Sequence, residues 1–262
     1  MSEPIISFRQ VSKCFTGKDA RAAGQFAVKD LSFDVTAGEL VAVVGKTGCG
    51  KSTMFNLLAG LLAPTSGEVR VEGRDPFRDF AWFRGRIAVV FQGDRLMPWR
   101  SAVRNVAYGL ELHGKPKSER LDVARDWLHR LGLQGHENDY PHALSGGMRQ
   151  RVSIARAFAV NPDILLCDEP FSALDELTSE GLRREFVKLV RENNKTSIFI
   201  THSINEALQL GSRILVFRPP AYIALEVHTA QATNDDERAQ LKQSILAVMT
   251  GEAAATDGEQ RA

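Results

Sequence analysis

The sequence predicts an α/β fold: a mostly parallel sheet with helices on both faces, a small antiparallel β subdomain and an inserted helical subdomain. Three observations predict it. Short apolar runs of strand length alternate with helical patterns, as a buried parallel sheet requires. Segments in the N-terminal third instead alternate apolar with polar residues, the mark of a half-buried strand. Between residues 96 and 158 strand patterns give way to helical stripes.

Residues 5–11 read as a strand, followed by Ser12-Lys13-Cys14-Phe15 and a polar loop holding Gly17, Lys18, Asp19 and Gly24. Leu31, Phe33 and Val35 alternate with polar neighbours. Thr36-Ala37-Gly38-Glu39 then turns the chain into the buried run Leu40-Val41-Ala42-Val43-Val44. Met54, Phe55, Leu57, Leu58, Leu61 and Leu62 supply the apolar face of the next helix, which residues 63–67 end. Residues 68–73 form another short alternating strand, and residues 86–91 another buried one.

Within the helical window Ser118 is placed to cap a helix striped by Leu121, Ala124, Leu128 and Leu131, with Gly132 at its exit. Met148, Val152, Ala155 and Ala159 stripe another. Strands resume at residues 164–167, 197–201 and 213–217. The helix between the first two carries Leu182, Phe186 and Leu189, with Glu180 four residues before Arg184. This assigns residues 1–95 and 159–226 to a core with its β subdomain, and 96–158 to the helical subdomain. Residues 227–262 read as a polar extension whose end is expected to be disordered.

With 262 residues, the chain can bury the core of one large or two modest domains. Thirty-three basic against thirty-two acidic residues leave a net charge of +1, so nothing in the whole-chain charge marks a nucleic-acid binder. Cys14, Cys49 and Cys167 cannot all pair and lack metal-ligand spacing, which suits reduced thiols. The N-terminus shows no signal-peptide pattern. No apolar run approaches the ~20 residues of a membrane span, so for work at a membrane another chain must supply the spans.

The chemistry gathers on Gly45-Lys46-Thr47-Gly48-Cys49-Gly50-Lys51-Ser52, with Thr53 next, between a buried strand and a helix. That context gives a phosphate-binding loop its meaning. Glycines let backbone N–H groups point inward, and the helix start aims its unpaired N–H groups at the same place. Lys51 reaches the β- and γ-phosphates, and the Ser52 hydroxyl ligates Mg²⁺. The competing reading is a glycine-rich turn without a ligand. Cys49, inside the loop, is expected to have its thiol pKa lowered by the helix start.

Asp168-Glu169 follows the buried run at residues 164–167. A carboxylate at such a strand end helps hold Mg²⁺, the role given to Asp168. Glu169, one step on, stands where an attacking water must lose a proton. Alone, the two are also compatible with solvated acids. Leu144-Ser145-Gly146-Gly147 opens a helix with small residues that favour an anion, or an ordinary serine cap.

Taken together and in order, these motifs resemble those of ATP-binding cassette (ABC) ATPases, on the P-loop nucleotidase core. The resemblance runs over about residues 5–217. It covers residues 45–52, Gln92, Leu144-Ser145-Gly146-Gly147, Asp168-Glu169, Ser172-Ala173-Leu174-Asp175 and His202. It implies that two chains sandwich two ATP molecules, each site joining the phosphate loop of one chain to the Ser145-Gly146-Gly147 signature of the other. It implies that Gln92 contacts Mg²⁺ or its water, that His202 senses the γ-phosphate and that Asp175 sits at the dimer seam. Phe15 is similar to the aromatic that stacks on adenine; its alternative is a core residue at a strand end.

A narrower resemblance joins Phe91-Gln92-Gly93-Asp94-Arg95-Leu96-Met97-Pro98-Trp99-Arg100 to ATPases of nitrate, sulfonate, taurine and bicarbonate importers. Gly93 departs from it where an acid is more usual, and Ala143 where many relatives place Gln. It implies a peripheral subunit on the cytoplasmic face of the membrane. The implied partners are a second copy or homologous ATPase, permease subunits and a substrate-binding protein, with no nucleic acid. Leu96-Met97-Pro98-Trp99 suits docking of a permease helix, or packing of the insertion. An ABC ATPase of another transporter class is the alternative, or one of DNA repair or translation. Those of repair or translation usually add a long coiled coil or a second cassette, and this sequence has neither. The intact Lys51, Asp168, Glu169 and His202 set argues against a nucleotide binder without turnover.

Overall fold

The computed structural model describes residues 3–15, 25–232 and 234–251. The polar loop expected at Gly17, Lys18, Asp19 and Gly24, and the end beyond residue 251, lie outside them. The strands are β1 (Ile6–Cys14), β2 (Phe26–Val35), β3 (Leu40–Gly45), β4 (Ser66–Val71), β5 (Ile87–Val90), β6 (Ile164–Asp168), β7 (Thr196–Thr201), β8 (Arg213–Arg218) and β9 (Tyr222–His228). The helices are α1 (Lys51–Leu58), α2 (Ala102–Val106), α3 (Tyr108–Leu112), α4 (Lys117–Arg130), α5 (Gly146–Ala159), α6 (Glu176–Glu192), α7 (Ile204–Leu210) and α8 (Asp235–Thr250). The chain divides into two compact units, one of residues 1–82 and 198–262 and one of residues 83–197.

The first unit holds the small antiparallel sheet, in the order β2-β1-β4. Alternation puts Phe8 inward, opposite Phe33 on β2 and Val69 on β4. The Phe8 and Phe33 rings stack with centroids 4.6 Å apart, a contact that adds to their area burial. In the same unit β7, β3, β8 and β9 lie side by side. All six residues of β3 are buried, as its continuous apolar run requires of a central parallel strand. Val43 pairs with Leu215 of the parallel β8, and β9 closes this edge in the antiparallel sense.

One expectation changes here, and one element goes beyond the sequence reading. The helix after the phosphate loop ends at Leu58, and Gly60 turns with φ +69° where a Cβ would meet the Pro76 carbonyl oxygen at 2.2 Å. The chain therefore leaves the helix before Leu61, which is exposed rather than on the apolar face. Residues 235–250, part of the polar extension, form a capped helix. Asn234 accepts a hydrogen bond from the Glu237 N–H at 2.8 Å, three acids occupy the first turn, and Gly251 leaves with φ +92°. Ile245 is fully buried in a cluster with Ala42, Val44, Ala207, Ile214 and Val216, flanked by Leu241, Val248 and Met249.

In the second unit β5 runs parallel to β6, with Val89 opposite Leu166. The buried stripe Val152, Ala155 and Ala159 of α5 joins a core with Ala124, Trp127 and Leu128 of α4. Trp127 lies 5.1 Å from Phe158, which meets Phe186 of α6 edge-on. Helix α4 is entered through the extended Pro116 with Lys117 as its first residue, so Ser118 is already inside the helix and does not cap it. Gly132, at φ +69°, follows the helix as the sequence suggests.

Candidate functional site

In the first unit β3 delivers the chain to a tight loop. A Cβ on Gly45 would lie 2.7 Å from both Cys49 Sγ and the Phe217 carbonyl oxygen. One on Gly50, at φ +105°, would lie 2.2 Å from the Ala27 oxygen. Only glycine fits these approaches. The loop closes where the Cys49 N–H donates to the Lys46 carbonyl at 3.2 Å. Helix α1 then starts behind Gly50, whose missing side chain leaves the first-turn N–H groups without a side-chain cap. Lys46, Thr47, Gly48 and Ser52 are exposed, and Thr53 is half-buried.

Lys51 is 7% exposed, and its ammonium donates to the carbonyl oxygens of Gly45 at 2.6 Å and Lys46 at 3.1 Å. It has no acidic partner among the described residues. A buried ammonium held by neutral oxygens retains most of its charge for an anion, so the loop fits a polyphosphate.

Cys49 corrects the expectation. Burial pushes its thiol pKa up, and the opposing pull of Lys51 is smaller. Desolvation of the sulfur against Gly45 outweighs the helix start.

His202 stands exposed between β7 and α7. Its flanks are tied down: Thr201 donates its hydroxyl to Glu206, and Ser203 caps α7 by accepting from the Glu206 N–H at 3.3 Å. Phe15, at the end of β1, is 42% exposed, with the Lys13 ammonium 5.6 Å from its ring centroid. It faces solvent rather than the core.

The second unit carries the other motifs. Asp168 ends β6, half-buried, and Glu169 follows in the left-handed region at φ +45°. The Ser172 N–H and hydroxyl both donate to the Glu169 carbonyl, at 3.2 and 2.9 Å, fixing that turn. Asp175 caps α6 by accepting from the Thr178 N–H at 3.0 Å. Ser145 caps α5 by accepting from the Met148 N–H at 3.3 Å, and both Ser145 and Gly146 are exposed. A Cβ on Gly147 would lie 2.8 Å from Thr178 Cγ2, so the signature packs closely on the start of α6.

The sequence reading missed how Gln92 is held. The exposed Gln92 and Gly93 precede Asp94, whose carboxylate accepts from Arg149 Nε on the signature helix at 2.9 Å. The same guanidinium donates to the Leu144 carbonyl at 2.7 Å. Arg156, two turns further along α5, donates to the carbonyl oxygens of Asp94 and Arg95, each at 2.8 Å. Burial lowers the Arg156 pKa from its ordinary value. The segment after Gln92 thus hangs on the helix that Ser145 opens. Arg149 stood in the sequence beside the signature, but nothing local names a partner 55 residues away.

Residues 28–172, more than half of the chain, match the ABC transporter family. The chain belongs to that family. It is 43% identical over 204 residues to a taurine import ATP-binding protein, TauB, of Yersinia pestis bv. Antiqua, spanning 78% of each chain. It is 45% identical over 193 residues to an uncharacterized ABC transporter ATP-binding protein of Methanocaldococcus jannaschii, spanning 72% of this chain and 70% of the relative. Among solved structures it resembles the ATP-binding cassette MJ0796, a dimer in a post-hydrolysis state bound to ADP and Pi. The TM-score is 0.74 at 33% identity, over 86% of this chain and 98% of that one. As an ABC ATPase this chain binds and hydrolyses ATP. Phe15, Asp175 and His202 fall outside the matched span, which includes the phosphate loop, Gln92, the signature, Asp168 and Glu169.

Proposed function

We propose that this ABC ATPase powers an importer, dimerising around two ATP molecules to drive separate permease subunits. The observation that carries the nucleotide reading is the buried, acid-free ammonium of Lys51 at a glycine-built strand-to-helix turn. Import is supported by the taurine-import relative and by a nitrate import ATP-binding protein, NrtC, of Synechococcus elongatus, 40% identical over 204 residues. A small anion such as nitrate, taurine or another sulfonate is the proposed solute class, and a substrate-binding protein the proposed further partner. Among the described residues no helix is long and apolar enough to cross a membrane, so the proposed place is peripheral, on the permease at the cytoplasmic face.

In the first unit, the N–H groups of residues 45–53 and Lys51 bind the phosphates, Phe15 stacks on the adenine, and His202 orients the γ-phosphate and the water. In the second unit, Glu169 accepts the proton of the attacking water and Asp168 supplies a metal ligand. Among the described residues no three of His, Cys, Asp or Glu converge into a metal site of their own. That suits Mg²⁺, which takes one or two protein oxygens and completes its shell with phosphates and water. Ser52, Asp168 and Gln92 are its proposed ligands, and when bound it neutralises charge on the β- and γ-phosphates. Ser145, Gly146 and Gly147 face the nucleotide of the second chain, with Asp175 at the seam.

Complementation tests the reading. Lys51→Ala and Ser145→Arg homodimers are each inactive. A mixed dimer has one site with both defects and one with none, so it traps nucleotide. A mixture that traps no more than either homodimer refutes the shared site.

A further inference from the structure

In the first unit the end of β1 is fastened to the loop that follows α1. The Thr65 N–H donates to the Ser12 carbonyl at 2.8 Å. The Thr65 hydroxyl accepts from the Cys14 N–H at 3.1 Å and donates to the Cys14 carbonyl at 3.4 Å. Lys13, between those two residues, donates its ammonium to the Ala63 carbonyl at 2.8 Å. Three consecutive residues of β1 are thus held just before Phe15.

Helix α1 gives this fastening its bearing on a nucleotide. It starts from the phosphate loop at Lys51 and spans eight residues, about 12 Å. The chain leaving its far end is the chain that holds residues 12–14. The phosphate loop and the base of Phe15 are therefore tied to opposite ends of one helix.

Side chains two residues apart along a strand fall on the same side. The Lys13 ammonium accordingly lies over the Phe15 ring, 5.6 Å from its centroid and within cation–π range. Thr65 closes the loop with its own hydrogen bonds, so closure does not require the tie from Lys13 to Ala63. That tie fixes where the ammonium sits. Its partner is a neutral oxygen, and no acid pairs with Lys13 among the described residues, so the charge is left to act on the ring. Phe15 remains 42% exposed, which leaves it surface to offer a base. The plain alternative is a half-buried lysine lending one more hydrogen bond to a loop, and that role has no dependence on Phe15.

We propose that Lys13 is a positioning residue for nucleotide binding: anchored on Ala63, its ammonium holds the Phe15 ring in the orientation that stacks on the base. This deepens the stacking role proposed for Phe15 and rests on it. Lys13 touches no phosphate in this role, so its contribution belongs to the base and not to the polyphosphate.

The test titrates the full chain calorimetrically with two ligands, at physiological salt to screen long-range attraction. ADP carries the base, and inorganic pyrophosphate lacks it. Lys13→Met keeps the apolar stem and removes the charge. Its ADP affinity is expected to fall about three- to fivefold, with pyrophosphate affinity unchanged. Phe15→Ala is expected to weaken ADP binding about fivefold or more, and adding Lys13→Met to that chain costs nothing further. The proposal is overturned if Lys13→Met binds ADP as its parent does, or if its loss persists in full in the Phe15→Ala chain. An equal loss for both ligands assigns the lysine to the fold of the loop and overturns it too. Phe15→Ala binding ADP as tightly as its parent overturns the stacking reading itself, whereas a loss there with none for Lys13→Met removes the lysine alone.

Discussion

The Thr201 hydroxyl donates to the buried Glu206 carboxylate at 2.5 Å, and the Ser203 N–H donates back to the Thr201 oxygen at 3.0 Å. His202, lying between them, is therefore anchored on both sides to the first turn of α7. Glu206→Ala removes the acceptor from this buried pair and is expected to cost about 1–3 kcal/mol. Glu206→Gln keeps an acceptor and is expected to recover most of that. Urea denaturation of both variants decides it; an unchanged midpoint for Glu206→Ala means the pair adds no stability.

Glu169→Gln preserves size and hydrogen bonding but cannot accept a proton. ATP binding is expected to survive while turnover falls by about 10²–10⁴. The variant then accumulates as an ATP-bound dimer, visible by size-exclusion chromatography. Near-normal hydrolysis would remove Glu169 from the role of base.

Cys49 is buried with a raised pKa, whereas Cys14 is partly exposed. At neutral pH a maleimide is therefore expected to label Cys14 first. Cys49→Ser leaves the fast labelling rate unchanged. If that substitution abolishes it, the phosphate-loop thiol is more reactive than its burial implies.

Cys167 is fully buried at the end of β6, and burial, with the nearby Asp168 charge, holds its thiol pKa up to about 12. An unfolded thiol ionises at about 8.5–9. Between those values the unfolded chain has lost a proton that the folded one keeps. The contribution is complete below about pH 9 and is lost as pH rises toward 12. Stability measured by urea denaturation at rising pH should decline in this window, and less steeply for Cys167→Ala. Equal slopes for the two chains would assign the decline to other groups.

Ile245 is the fully buried contact of α8. Ile245→Ala is expected to cost about 2–5 kcal/mol, in the range of large-to-small core changes. A thermal or urea midpoint equal to wild type would show that α8 detaches without loss.

The strands were readable because burial on both faces writes itself as apolar runs, of which Leu40-Val41-Ala42-Val43-Val44 is the clearest. The phosphate loop was readable because its chemistry lies within eight consecutive residues. Helix α8 escaped because Leu241, Ile245, Val248 and Met249 share a face but sit among charged residues that dominate the composition. The Cys49 environment escaped because it depends on Gly45 and burial, which the helix-start argument does not contain. The Asp94–Arg149 pair escaped for a simpler reason: two charges 55 residues apart meet only once the chain is folded.

The pairing of β3 with β8 also fixes an order of events during synthesis. Val43 leaves the ribosome about 170 residues before its partner Leu215. At about 5–20 residues per second that gap lasts on the order of 10–30 s. Residues 83–197 are continuous in sequence and emerge whole within it, so they are free to fold first. Through that interval the nascent chain carries the Val41–Val44 edge without its neighbour, an aggregation-prone ribbon that a holding chaperone has reason to cover.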